Sequence, residues 1–200
     1  MRAFIAVPGG YACELEDSEL RILSRVVADT CELLGTHVDD DGPAAPDATG
    51  DDAVLAALAW DVADGAPPRD PALARLLPPA STDDDELAAE VRRLTEGSLR
   101  ATKVDHLRVV HRTLTASSGV VIVRAGQERA WLSAITDVRL VLASRLGITT
   151  DDDAERVYER AGQGEPQTSA AELDAALTSL YAALTWWQES LLEAMSGQAR

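Results

Sequence analysis

The chain has 200 residues, 34 of them acidic and 18 basic, for a net charge of −16. A surface that negative repels phosphate, the main source of nucleic-acid affinity, so direct DNA binding is disfavoured and a basic protein partner is easier to accept. No apolar run reaches the roughly 18–20 residues a bilayer span needs, and Met1–Pro8 lacks the length and cleavage site of a signal peptide, so we expect a cytoplasmic protein with no membrane contact.

A hydrophobic content of 46% suits one globular domain across residues 1–200. Phe4–Leu15 reads as a β-hairpin around Pro8-Gly9-Gly10, whose glycines permit positive φ in a tight turn. In its second strand Tyr11, Cys13 and Leu15 share one face, Ala12 and Glu14 the other. Asp17 or Ser18 is placed to cap a helix to about Gly35, with Leu20, Leu23, Val27, Cys31 and Leu34 as its apolar stripe. Residues 36–52 are Asp, Gly, Pro and Ala with almost no large apolar side chain; such a segment cannot offset its conformational entropy and reads as a disordered acidic loop. Val54–Trp60 reads as a short helix. Asp70 as N-cap and Pro71 at the first helical position start another, which Pro78-Pro79 stops.

A long helix is expected from about Asp84 to Thr115. Its apolar stripe is Leu87, Val91 and Leu94, then Leu107, Val110 and Leu114 on the opposite side of the wheel. Either the helix kinks near Gly97 or its two ends pack on different neighbours. Gly119–Arg124 is a strand that joins the hairpin in a three-stranded antiparallel sheet, since a lone hairpin is marginal in water. The next helix turns Trp131, Ile135, Val138, Leu142 and Leu146 inward and ends at Gly147. A shorter helix covers about Asp151–Ala161. The last runs from about Ser169 to Ser196, its seam of Leu173, Leu177, Leu180, Leu184, Trp187 and Leu191 serving an intrachain bundle or a homodimer equally well. Residues 197–200 read as a disordered tail. The fold class is mainly α: a helical bundle with a small antiparallel sheet.

Cys13 and Cys31 with His37, His106 and His111 do not form the four-ligand spacing of a zinc site. Asp83–Asp85 and Asp151–Asp153 lack the Gly and bidentate Glu positions of a calcium loop and read as helix starts, where anionic side chains meet the positive dipole end. No metal or cofactor is expected. The basic set Arg92, Arg93, Arg100, Lys103, Arg108 and Arg112 is a candidate partner-binding face, although Glu90, Glu96 and Asp105 interrupt it. Asp137, Arg139 and Glu189 are candidates for a polar partner-binding site beside Trp131 and Trp187; the same residues can instead cross-link helices. No nucleophile with a positioned base, Gly-rich phosphate loop or hydrolase motif is present, which argues against an enzyme.

Three segments read as inherited rather than generic: Arg69-Asp70-Pro71-Ala72-Leu73-Ala74-Arg75-Leu76-Leu77-Pro78, the helix from Ala130-Trp131-Leu132-Ser133-Ala134-Ile135-Thr136-Asp137-Val138-Arg139-Leu140 to Arg145-Leu146-Gly147-Ile148, and Leu184-Thr185-Trp186-Trp187-Gln188-Glu189-Ser190-Leu191. With Arg92–Glu96 and Leu99–Lys103 they resemble, in order and spacing, an actinobacterial family: domain of unknown function 2017, also named for an oxidative-stress transcriptional regulator (AosR). The resemblance covers about Met1–Met195 without the 36–66 and 162–169 regions. It implies a non-enzymatic, transcription-associated regulator of the oxidative-stress response. Together with the acidity, it points to a protein partner such as RNA polymerase or a sigma factor. It also makes Cys13 and Cys31 the redox candidates, since they are the chain's only thiols. The resemblance places no sensing motif on either, and both fall on inward stripes, where a buried thiol reacts slowly. If the first helix folds back over the second strand, Cys13 lies about 13 Å from the turn and Cys31 about 21 Å. That offset exceeds the roughly 7 Å Cα limit of a disulfide, so pairing needs rearrangement. A redox-independent binding or adaptor protein is the alternative.

Overall fold

The computed structural model describes residues 1–39, 66–81, 83–160 and 169–198. In chain order these form β1 (Ile5–Val7), β2 (Gly10–Glu14), α1 (Asp17–Leu33), α2 (Pro71–Leu76), α3 (Asp85–Thr115), β3 (Val120–Arg124), α4 (Glu128–Arg145), α5 (Asp151–Arg160) and α6 (Ser169–Gln198). The expected loop over 36–52 lies outside the described residues from residue 40 on, as does the expected helix Val54–Trp60.

The sheet is antiparallel in the order β1-β2-β3. Gly10 has no room for a side chain, because a Cβ there would stand 2.0 Å from the Val123 carbonyl oxygen. Alternation along the strands separates the two faces: Tyr11, Cys13, Val121 and Val123 are buried, while Ile5, Val120 and Ile122 are exposed. Behind the buried face α4 occupies the centre and packs on α1, α2, α3 and α6. Its Trp131, Ile135, Val138 and Leu142 are buried, as the helical period anticipates, and Ala134 is buried with them; Leu146, also expected inward, is half-buried.

Caps explain most helix starts. Asp70 accepts from the backbone N–H of Ala72 and Leu73 at 2.7 and 3.3 Å, with Pro71 at the first helical position. Asp84 accepts from the Leu87 N–H. Before α5, the Thr150 N–H donates to Asp153 and the Asp153 N–H to Thr150 Oγ1, a reciprocal box that accounts for the Asp151–Asp153 run. The cap of α1 is Glu16 rather than Asp17 or Ser18: its N–H donates to the Glu19 carboxylate three residues on, the step a capping box requires.

Two apolar stripes differ from expectation. In the first half of α3, Leu87 and Leu94 are about half exposed, and the buried positions are Ala88 and Arg92. Arg92 turns inward because its guanidinium has two acceptors, the Leu77 carbonyl beyond α2 and Glu96. In α6, Leu173 is exposed while Thr178 and Tyr181 are buried; Leu177 and Leu180 are half-buried against the core, and the seam closes fully at Leu184, Trp187 and Leu191. The helix also continues through Gly197 to Gln198, past the end expected at Ser196.

α3 is continuous through Gly97; before it Arg92 reaches the Leu77 carbonyl, and after it Arg100 and Lys103 reach the Leu34 carbonyl and Asp137. A Cβ at Gly97 would meet nothing within 4 Å. Gly97→Ala is therefore expected to stabilise the protein by about 0.5–1 kcal/mol, since an exposed helical glycine forfeits that much to backbone entropy. A raised urea midpoint with unchanged m-value is the result to look for; a lowered one would mean that the helix bends there.

Candidate functional site

Both redox candidates lie in the core: Cys13 on the buried face of β2 and Cys31 in the last turn of α1, 3% and 0% exposed, with no disulfide between them. Burial pushes the Cys13 thiol up to about 12, an effect the adjacent Trp187 indole N–H offsets only in part. At pH 8 such a thiol is almost wholly protonated, whereas roughly one in four free cysteines is thiolate. Native thiol labelling is accordingly expected to mark neither cysteine on the timescale of an exposed one, and both once the chain is unfolded. Intact mass reads this directly, and rapid labelling of the folded protein would show that the core opens.

Most of the basic face is consumed within the fold. Glu96 is shared by Arg92 at 3.0 Å and Arg100 at 2.7 Å. Burial opposes its charge, but the two guanidiniums outweigh that and hold the carboxyl below its usual range. Arg100 also donates to the Leu34 carbonyl, tying α3 to the end of α1. Arg108 donates to Thr36 and to the His37 carbonyl. Arg93 is exposed and paired with Glu90. Arg112 is exposed and makes no ion pair among the described residues.

Lys103 separates from this group and joins Asp137. The lysine Nζ stands 2.5 Å from Asp137 Oδ1, with the two side chains only 15% and 2% exposed. Burial raises the Asp137 carboxyl above its ordinary range, while Lys103 and, more weakly, His106 pull the other way. Asp137 Oδ2 and His106 Nδ1 are buried and have no partner among the described residues. The pair lines an open cleft of about 740 Å³ with Tyr11, Leu132, Thr136 and Met195. Thus α3 and α4 are joined through two charges that are largely withdrawn from water yet border the surface.

A second polar joint lies one helical step away and faces α6. Arg139 donates to Gln188 Oε1 at 2.7 Å and lies over the Tyr181 ring, 5.4 Å from its centroid. Gln188 Nε2 donates in turn to Thr136 Oγ1 at 2.8 Å and to the Leu132 carbonyl at 3.3 Å. Leu132, Thr136 and Arg139 share one helix face by the three- and four-residue spacing. Trp131 and Trp187, at 0% and 1% exposure, are core rather than surface; they pack edge to face at 5.7 Å, and Phe4 stacks on Trp187 at 4.9 Å. Glu189 points to solvent, away from this joint. The sequence pattern does not mark Gln188 as a site residue. Its signal was its place beside seam residue Trp187, where a half-buried amide needs partners.

Chemically, these joints bind helices; neither sets a nucleophile beside a base. Among the described residues no three His, Cys, Asp or Glu side chains come together as a metal site would require. No curated protein and no solved structure matches the chain. The family model described as domain of unknown function, DUF2017, matches residues 1–195. That span includes the three segments singled out in the sequence, which build α2 with its cap, the central α4 and the closed half of the α6 seam, and the chain belongs to the DUF2017 family.

Proposed function

We propose that this protein is a non-enzymatic, cytoplasmic regulator associated with transcription in the oxidative-stress response, as its likeness to the actinobacterial AosR family implies, and that it acts by holding a protein partner, RNA polymerase or a sigma factor. The observation that carries the partner-binding part is the disposition of charge. Arg92, Arg100, Lys103 and Arg108 are spent on carbonyls and carboxylates inside the fold. The chain keeps a net charge of −16, and exposed carboxylates such as Glu14, Asp105 and Glu189 bring part of it to the surface. Such a surface steers a basic partner face and repels nucleic acid.

The burial of both thiols favours the form of this function in which partner binding does not depend on their oxidation. The test is to measure binding of purified polymerase core, holoenzyme and free sigma factors from the source organism. Reduced and peroxide-treated protein are compared, at physiological and at raised ionic strength. Saturable binding that weakens with salt and ignores peroxide supports the proposal. Loss or gain of affinity on oxidation would restore the thiols as the switch. Sequence-specific DNA binding by the protein alone would overturn the partner-only mechanism.

A further inference from the structure

The edges of the sheet are treated differently. β1 is covered: α6 packs on it, and the Phe4 N–H donates to Ser190 Oγ at 3.2 Å. β3 is the other edge, and its backbone can be followed residue by residue. Leu15 N–H donates to the Gly119 carbonyl and Ala125 N–H to the Gly9 carbonyl, each at 2.8 Å. Antiparallel ladders alternate between bonded and non-bonded pairs. In the observed register the bonded pairs are then Tyr11 with Val123 and Cys13 with Val121. The N–H and C=O of Val120 and Ile122 therefore aim away from β2. The Arg124 N–H also points outward, but Gln127 Oε1 takes it at 3.2 Å.

Beside this edge runs a groove of about 460 Å³ between β3 and the last turns of α3. Val120 and Ile122, 52% and 47% exposed, form one wall; Val109, Arg112 and Thr113 form the other. An unpaired edge with exposed β-branched side chains is a template for another strand, and proteins ordinarily blunt it with cover or inward charge. Here no cover exists among the described residues.

The charge of the groove selects what fits. Among the described residues no carboxylate lines it, and Arg112 and Arg124 both do. Arg2, Arg25, Arg93, Arg100, Arg145 and Arg156 each have a carboxylate partner. Arg112 donates only to the Arg108 carbonyl of its own helix, and neither it nor Arg124 meets a carboxylate among the described residues. Other arginines, such as Arg75 and Arg139, also lack a carboxylate among the described residues but are held by a carbonyl or an amide; what sets Arg112 and Arg124 apart is that both border the groove beside β3, a place for an anionic group. The β3 strand of a second copy does not supply it, because it reads Val-Val-Ile-Val-Arg.

We propose that β3 takes an extended, carboxylate-bearing segment of a protein partner as a fourth strand. Backbone pairing to Val120 and Ile122 gives the affinity, and Arg112 and Arg124 give the preference for acid. This rests on the reading that the protein acts by binding other proteins, and it adds where and what kind of segment.

The experiment uses the full chain and a fluorescent octapeptide of alternating Val and Asp, with a Val-Gln counterpart. The acidic peptide is expected to bind about tenfold or more tightly, and its saturation should slow amide exchange at Val120 and Ile122. Ile122→Pro removes the outward N–H and the Ile122 side chain from the groove wall while sparing the bonds to β2, a substitution that edge strands tolerate, and should weaken binding about tenfold or more. Arg112→Gln with Arg124→Gln should erase the acidic preference. Should the proline variant fail to fold, peptides N-methylated at alternate residues test the same bonds on the unaltered protein, and one of the two registers must lose binding. Equal affinity for the two peptides, indifference to both methylation registers, or a wild-type dimer that Ile122→Pro makes monomeric would each overturn the proposal. Polymerase or sigma-factor binding by Ile122→Pro separates the two levels. Wild-type binding there removes the groove and leaves the partner reading standing, whereas peptide binding without any polymerase or sigma contact does the reverse.

Discussion

Lys103→Met is expected to destabilise the protein by about 3–5 kcal/mol at pH 7, the cost of leaving a buried carboxylate without its counter-ion. Asp137 is 2% exposed, its Oδ1 is held by Lys103 at 2.5 Å, and its Oδ2 has no partner among the described residues. Burial already lifts its carboxyl above the ordinary range with the ammonium present. A carboxyl with a raised folded-state value binds its proton more readily when native. Its contribution is therefore fully present below the unfolded-state value and is lost as pH rises through the raised one. Removing Lys103 raises that value further. The deficit of the variant relative to wild type should thus be largest at neutral pH and shrink on acidification.

Asp137→Asn should cost less, about 1–3 kcal/mol, because the lysine keeps a path to water at 15% exposure. The double variant Lys103→Met with Asp137→Leu should come back toward wild-type stability or exceed it, since an apolar pair of similar volume escapes the desolvation of two ions. Urea midpoints of the four proteins at pH 5 and pH 7 form the cycle. A loss below about 1 kcal/mol that does not vary with pH would mean that the pair behaves like an exposed one.

Trp187→Ala should cost about 3–5 kcal/mol, while Trp186→Ala should change stability by no more than about 0.5 kcal/mol. The two residues are adjacent, yet one is 1% and the other 46% exposed. Trp187 contacts Phe4 at 4.9 Å and Trp131 at 5.7 Å. Removing it takes away the element that joins the first strand to α4 and α6. Its indole also lies beside the Cys13 thiol, so Trp187→Ala should admit a thiol reagent to Cys13 where the wild type does not. Thermal midpoints and labelling rates of the two variants check both statements. Equal losses from the two substitutions would mean that α6 is rotated from the position described here.

Periodicity and punctuation alone determined most of the secondary structure. The hairpin, the Asp70-Pro71 start, the run of α3 to Thr115, the strand at 120–124 and the inward face of α4 all follow from local rules. A glycine turn, a cap oxygen or a repeat of apolar positions acts within a few residues of itself. The inward position of both cysteines was legible for the same reason, each lying on a stripe of apolar neighbours. What tertiary structure alone decided is where the polar groups go. A stripe of leucines marks a face that can be buried, but Leu87 and Leu94 remain exposed because nothing among the described residues packs there, and Arg92 is buried because the Leu77 carbonyl and Glu96 wait on the other side. Lys103 read as one of six neighbouring cations until the crossing of α3 and α4 set it against Asp137, 34 residues away. The open edge of β3 depends likewise on which strand α6 covers. Ion pairs, buried amides and free sheet edges join residues far apart in the chain, and their partners are chosen by how helices cross, which no local pattern records.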